Sequence, residues 1–271
     1  MEISDPDEVH AVLADPAFIV PPVPRVESPA GIAWLRAHVG RFSSGPEHER
    51  RRALVLAEIE RLEPEDLRRD ARRRATAAVR AGRSLREVPV ETLAAAMGLP
   101  AGLAADVETA ARAYQPHVEA DAAAADRAVA RLVEASGGIA DEPTAARIGL
   151  LVQACDATAG LVERALRAMP EQPGATVEDI LGGVLRQDPP VRATRRLATT
   201  AARVGSVDVA PGTIVTLDLT TGGDDRLPFG SGLRPCPGRE QALALAAGCL
   251  EASAPPARQR ASSPDSARSN S

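Results

Sequence analysis

Cys236 stands in a setting that suits metal ligation better than core packing. It closes the run Pro228-Phe229-Gly230-Ser231-Gly232-Leu233-Arg234-Pro235-Cys236, followed by Pro237 and Gly238. Gly230, Gly232 and Gly238 let the backbone turn tightly and come close to a flat partner. The apolar run 239–250 reads as a helix. Cys236 therefore lies just before a helix N-terminus, where unpaired N–H groups and the dipole favour a thiolate. Arg234 supplies a fixed cation for a nearby anion. His48 and Arg52 form a second pair with a useful spacing. Residues i and i+4 share one helix face, so both can donate to a single anionic group.

Phe229, Gly232, Arg234, Cys236 and Gly238 fit the pattern F-x-x-G-x-R-x-C-x-G. This loop resembles the cysteine loop of the cytochrome P450 family, the haem-thiolate monooxygenases. The resemblance implies that Cys236 is the axial iron ligand of a haem b, with an electron-rich sulfur that favours O–O cleavage. Phe229, Gly232 and Gly238 would then be cofactor-loop residues. The run from Pro46 to Arg52 resembles the family's helix carrying H-x-x-x-R. Pro189-Pro190-Val191 and Arg195-Arg196-Leu197-Ala198 resemble the segment after its buried ion-pair helix. By the same likeness His48, Arg52, Arg196 and Arg234 hold haem propionates. Residues 206–219 resemble the family's small hairpin, and 89–100 a mid-chain helix of bacterial members. The likeness covers most of 30–250, with compressed intervals.

The chain departs from that pattern in two helices. Residues 150–159 resemble the oxygen-activating segment A-G-x-[D/E]-T-T, with Asp156 as the acid, Ala154 as the small residue and Thr158 as the alcohol. The resemblance makes Asp156 and Thr158 the candidates for proton delivery. Ala157 occupies the position of the usual first threonine, so delivery should be impaired, since a donor must lie within hydrogen-bond reach. The family's E-x-x-R pair would put an acid at 183, three residues before Arg186. Gly183 stands there, so Arg186 must find another acceptor or reach solvent. Residues 220–227 replace a longer meander, and a polar tail replaces the usual C-terminal β structure.

The first functional expectation is a monooxygenase that oxidises a small organic molecule with dioxygen and electrons from a ferredoxin-type partner. The altered positions keep open a catalytically degenerate relative, acting as a haem-binding or interaction partner. Peroxide-driven or dehydratase-type haem chemistry, which dispenses with the threonine, is a third expectation.

Composition bounds the scaffold that must position these groups. Hydrophobic residues make up 44% and charged ones 25%, as in ordinary globular chains. Only 2% are aromatic, so the core must be built from Ala, Leu and Val. All basic residues are Arg, which reflects codon bias more than function. A net charge of −5 argues against general nucleic-acid binding. Three cysteines follow no disulfide framework, no signal peptide opens the chain, and no apolar run approaches membrane-spanning length. A cytoplasmic protein without membrane or nucleic-acid partners is expected.

Helices are predicted over 5–14, 30–42, 47–62, 65–80, 89–97, 101–114, 118–135, 144–169 and 176–187, separated by Pro and Gly breaks. Thr176 with Asp179 makes a capping box. Residues 15–29 read as a Pro-rich connector. Strands 206–209 and 213–219 flank Ala210-Pro211-Gly212, a hairpin signal. The expected fold is mainly α with a small β element, an abbreviated cytochrome P450-like fold. Residues 1–251 would form the haem-binding domain and 252–271 a disordered Ser/Ala/Pro/Arg tail.

Overall fold

Acidic, hydroxyl and proline residues set the starts of several helices in the computed structural model, which describes residues 1–24 and 31–253. Helix α1 (Pro6–Ala14) opens with Pro at its first position, and the Asp5 carboxylate accepts from the Asp7 and Glu8 amides. It follows the short strand β1 (Glu2–Ile3) and precedes β2 (Phe18–Ile19). The expected connector thus contains a strand, and residues 25–29 of it lie outside the described residues. The predicted helix 30–42 is shorter: α2 (Ile32–His38) ends at Val39, and Gly40–Phe42 forms a 3-10 turn.

Helices α3 (Gly45–Ile59), α4 (Pro64–Arg80), α5 (Val88–Ala96), α6 (Ala104–Arg112) and α7 (Ala122–Ala135) follow. The long α8 (Glu142–Ala168) runs through the helical core, with fourteen buried residues. It is long and apolar enough to span a membrane, contrary to expectation. However, 67% of its most apolar window is buried against protein, so that face is used as core. Helix α9 (Val177–Gln187) carries the predicted reciprocal cap between Thr176 and Asp179. Helix α10 (Arg239–Ser253) runs two residues past the predicted domain end, and the rest of the expected tail lies outside the described residues.

Small side chains substitute for the missing aromatics. Ala71, Ala75 and Ala78 on α4 are fully buried where α10 crosses them. A Cβ on Gly248 would lie 2.2 Å from the Arg68 carbonyl oxygen, so the two backbones meet with no side chain between. These helices share one large apolar cluster with α8 and α9.

The β structure corrects the hairpin expectation. Strand β3 (Ala193–Ala198) pairs antiparallel with β6 (Ile214–Asp218), with Arg196 opposite Val215. The sheet order is β1-β6-β3-β2, β1 being parallel to β6. Strand β5 (Val207–Val209) pairs instead with β4 (Ala202–Val204), closing around Gly205 at φ +55°. Ala210-Pro211-Gly212 connects the two sheets. The reason is length and burial: β6 alternates fully buried Val215 and Leu217 with more open residues, and only β3 is long enough to pair along it. A second, smaller cluster packs α1 against both sheets and includes Leu227.

Candidate functional site

The run from Leu227 to Gly238 lies at the seam of the two clusters. Leu227 packs with the sheets, while the half-buried Phe229 packs with the helices. The Phe229 carbonyl accepts from the Cys236 amide at 2.7 Å, and the Arg239 guanidinium lies 5.5 Å from the Phe229 ring centroid. Gly230 and Gly232 take φ of +77° and +64°. A Cβ on Gly232 would fall 2.3 Å from the Leu13 carbonyl oxygen. That close approach is to α1 and not to a flat partner, which corrects part of the sequence reading. Gly238 has no such constraint, since a Cβ there would meet only Ile59 Cδ1 at 3.6 Å.

Cys236 is exposed, three residues before α10, and receives a hydrogen bond from the Gly238 amide. Desolvation of the sulfur pushes its pKa up. The Gly238 amide, Arg52 and Arg41 oppose that without cancelling it. The expected thiolate bias of the helix start is therefore outweighed in the protein alone.

Around the loop the structure gathers cations. Arg52 donates to the Pro235 carbonyl at 3.0 Å, and Arg234 to the Ser43 carbonyl at 2.5 Å. Arg196 is 5% exposed and, among the described residues, donates to Thr194 Oγ1 and the Arg195 carbonyl. Burial and then the charge of Arg41 push both Arg196 and Arg234 down to about 10. Among the described residues no carboxylate pairs with Arg41, Arg52, Arg196 or Arg234. A buried guanidinium without an anion is costly. His48 Nδ1 bonds the Gly40 carbonyl at 2.9 Å, so it carries the proton and Nε2 is an acceptor in the neutral ring. Nε2 is buried with no partner, and burial, then Arg234 and Arg52, keep the ring pKa low despite the Gly40 bond.

The sequence missed Arg41. Read as one more residue of a helix over 30–42, it sits instead in the 3-10 turn, which Gly40 and the His48 bond to its carbonyl help to fix. Its charge acts on Arg196, Arg234 and Cys236 together.

The proton-delivery pair falls elsewhere. Asp156 is 56% exposed and ion-paired with Arg86 at 2.6 Å, which also binds Glu108 and Glu163. This surface network gives the acid a structural partner that the sequence reading did not foresee. Thr158 is buried, about 100° around the helix from Ala157. Leu150, Gln153, Ala154 and Ala157 share one face and are exposed or half-exposed in the middle of this helix. Arg186 does what its missing carboxylate demands: it is half-exposed and approaches Asp225 at 3.9 Å, just upstream of the loop.

The residues present fit a haem. An exposed thiol, arginines with no carboxylate partner among the described residues, an orphaned imidazole nitrogen and an uncovered helix face are what a planar group with two carboxylates and an iron would use. No cluster of His, Cys, Asp and Glu suited to a multi-ligand metal site occurs among the described residues.

Solved structures give the class. CalO2 superimposes with a TM-score of 0.75 at 16% identity, over 93% of this chain and 82% of that chain. P450BioI, in complex with an acyl carrier protein ligated to hexadec-9Z-enoic acid, gives 0.71 at 16% identity, over 92% and 83%. Mycobacterium smegmatis CYP164A2 with econazole bound gives 0.71 at 20% identity, over 93% and 82%. No family model matches the sequence, and no curated protein matches it. The chain has the cytochrome P450 fold in abbreviated form.

Proposed function

We propose that this chain binds one haem b through Cys236 and uses it to oxidise a small organic molecule. The observation that carries the reading is the orphaned His48 Nε2 beside Arg52 and Arg234, next to an exposed cysteine at a helix start. Cys236 is the axial ligand. Arg52, Arg196 and Arg234 donate to the propionates, and His48 joins them by taking a proton at Nε2 or turning its N–H toward them. When bound, the haem supplies activation of dioxygen, with electrons from a ferredoxin-type donor. Phe229 supports the loop from the helical side, Gly232 lets it lie against the Leu13 carbonyl of α1, and Gly238 donates its amide to the Cys236 sulfur. Residues 1–251 form the haem domain, and the protein works in the cytoplasm. Both points rest on the resemblance and on α8 being used as core.

The test is the absorption spectrum of reduced protein with carbon monoxide. A red-shifted Soret band that disappears in Cys236→Ser supports thiolate ligation. Protein without haem after expression with ample precursor rules the reading out.

A catalytically degenerate haem protein is the second reading, favoured by Ala157 and by the Arg86 pair that occupies Asp156. General acid–base catalysis contributes about 10²–10⁴-fold, so its loss is visible in turnover. With a reductase system, most NAD(P)H consumed should emerge as peroxide, and Ala157→Thr should shift consumption toward product. Tight coupling in the unmodified protein would remove the degenerate reading.

A further inference from the structure

We propose that His10 is a positioning residue for Cys236: through Ser231 it ties the tip of the cysteine loop to α1 and so holds the sulfur in place. That the held sulfur ligates iron rests on the haem reading above; the tether itself does not. His10 Nδ1 lies 3.1 Å from Ser231 Oγ, and the ring tautomer decides which of the two donates. The two residues are 221 positions apart in the chain.

The loop is built so that its tip needs an anchor. The Cys236 amide donates to the Phe229 carbonyl, which closes residues 230–235 into a loop with Cys236 at its neck. Ser231 opens the tip, residues 231–233, between Gly230 at φ +77° and Gly232 at φ +64°. Glycine is conformationally permissive, so the chain can pivot on either side of Ser231. Leu233 is 56% exposed and meets α1 through its amide, which donates to the Leu13 carbonyl at 3.1 Å. Among the described residues, the Ser231 hydroxyl is the side-chain group of the tip that bonds outside the loop.

Helix α1 is a firm post for that bond. Val9, Val12 and Leu13 are buried in the sheet cluster, and Asp5 caps the helix start. His10 and Leu13, three residues apart, are neighbours on the helix surface and both meet the loop. The two contacts act in opposite senses. The Leu13 backbone limits how close the tip can come, since a Cβ on Gly232 would already strike it. The His10–Ser231 bond limits how far the tip can swing away. On the other side, Arg52 holds the Pro235 carbonyl and Phe229 packs with the helices. Cys236 is thus fixed from both clusters, and one exposed hydrogen bond shifts a local opening equilibrium by a factor of about 2–10.

The thiol of Cys236 reports on the tether, because Cys155 and Cys249 are buried and Cys236 is exposed. Its sulfur accepts from the Gly238 amide, and a released loop frees it, so the rate of modification follows the opened fraction. In haem-free protein at fixed pH, iodoacetamide should modify Cys236 about threefold or more faster in His10→Ala and in Ser231→Ala than in the parent. The double variant should be no faster than either single one, since both remove the same bond. His10→Asn, whose amide can stand where Nδ1 does, should stay near the parent rate, and His10→Gln should not. Leu132→Ala, a core truncation in α7, should lower the melting temperature without changing the rate. Haem-loaded His10→Ala and Ser231→Ala should also lose haem to excess apomyoglobin several-fold faster than the parent. Parent-like thiol rates in His10→Ala overturn the proposal even where haem binds. Additive effects in the double variant, or a rise in Leu132→Ala as large as in His10→Ala, overturn it too. A protein that takes up no haem but shows the coupled rise in thiol rate supports the tether and refutes the haem reading instead.

Discussion

Glu142 shows how one carboxylate fastens the start of the central helix. It takes Arg50 through two bonds of 2.8 Å and Arg51 through one of 2.9 Å. Arg50, opposed by burial and aided by Arg51, holds its pKa down to about 2 against an ordinary 4.5. A depressed carboxylate stabilises the fold above its unfolded pKa and loses that contribution as pH falls through the folded value. Glu142→Gln should therefore melt lower than the parent at neutral pH, and the gap should close between about pH 4.5 and pH 2. Thermal melts across that range check it. At the proposed haem site, Arg52→Ala should lower haem occupancy well below that of Arg73→Ala, which pairs with Asp70 on the same exposed face. Equal occupancy would make His48 and Arg52 a surface pair. His48 and Arg52 were legible because their spacing is local to one helix. Arg41 was not, because its position depends on a 3-10 turn held by the packing of Phe42 and by bonds from Ser43 and His48 to the Gly40 carbonyl.

At the scale of elements, glycine has opposite meanings in α9 and α10. A Cβ at Gly183 would meet nothing within 4 Å, and its φ is not positive. Gly183→Ala should raise stability by about 1 kcal/mol in urea titration, the helix-propensity difference between the two residues. Gly248→Ala should do the reverse. Its Cβ would strike the Arg68 carbonyl, Ala71 Cβ and Arg72 amide nitrogen, and overpacking typically costs about 1–3 kcal/mol. Both lie inside apolar helical runs, Gly183 directly after Gly182, and the sequence does not tell which of the two helices needs its glycine. The same limit governed the strands. Ala210-Pro211-Gly212 is a sound local turn signal, but the choice of partner for β6 was decided by β3, which lies across an intervening hairpin.

For the molecule as a whole, the cysteine loop joins the cluster of helices to the cluster of sheets, through Phe229 on one side and Leu227 with Leu13 on the other. A group seated there stabilises both by mass action, by about 2.7 kcal/mol when its free concentration is a hundred times its Kd. Titrating haem into the apoprotein should therefore raise a single thermal transition that includes both clusters. Cys236→Ser should show a smaller rise at equal haem. Two transitions, only one of them responsive, would show that the clusters unfold separately.

Local chemistry was readable from the chain. Pro at helix starts and the Thr176–Asp179 cap act within a few residues, so spacing alone expresses them; the spacing of His48 and Arg52 and the glycines flanking Cys236 are likewise local features. So was the mainly α class, because alternating Ala and Leu periodicity is a property of each helix by itself. Tertiary structure alone decided three matters. It gave Asp156 to Arg86, seventy residues away, because an exposed acid takes the nearest cation in space. It assigned Gly232 to the Leu13 carbonyl, because backbone approach between distant segments leaves no mark in sequence. It collected Arg41, Arg196 and Arg234 from three elements into one field with no opposing carboxylate among the described residues, because charge adds over distance in space and not along the chain.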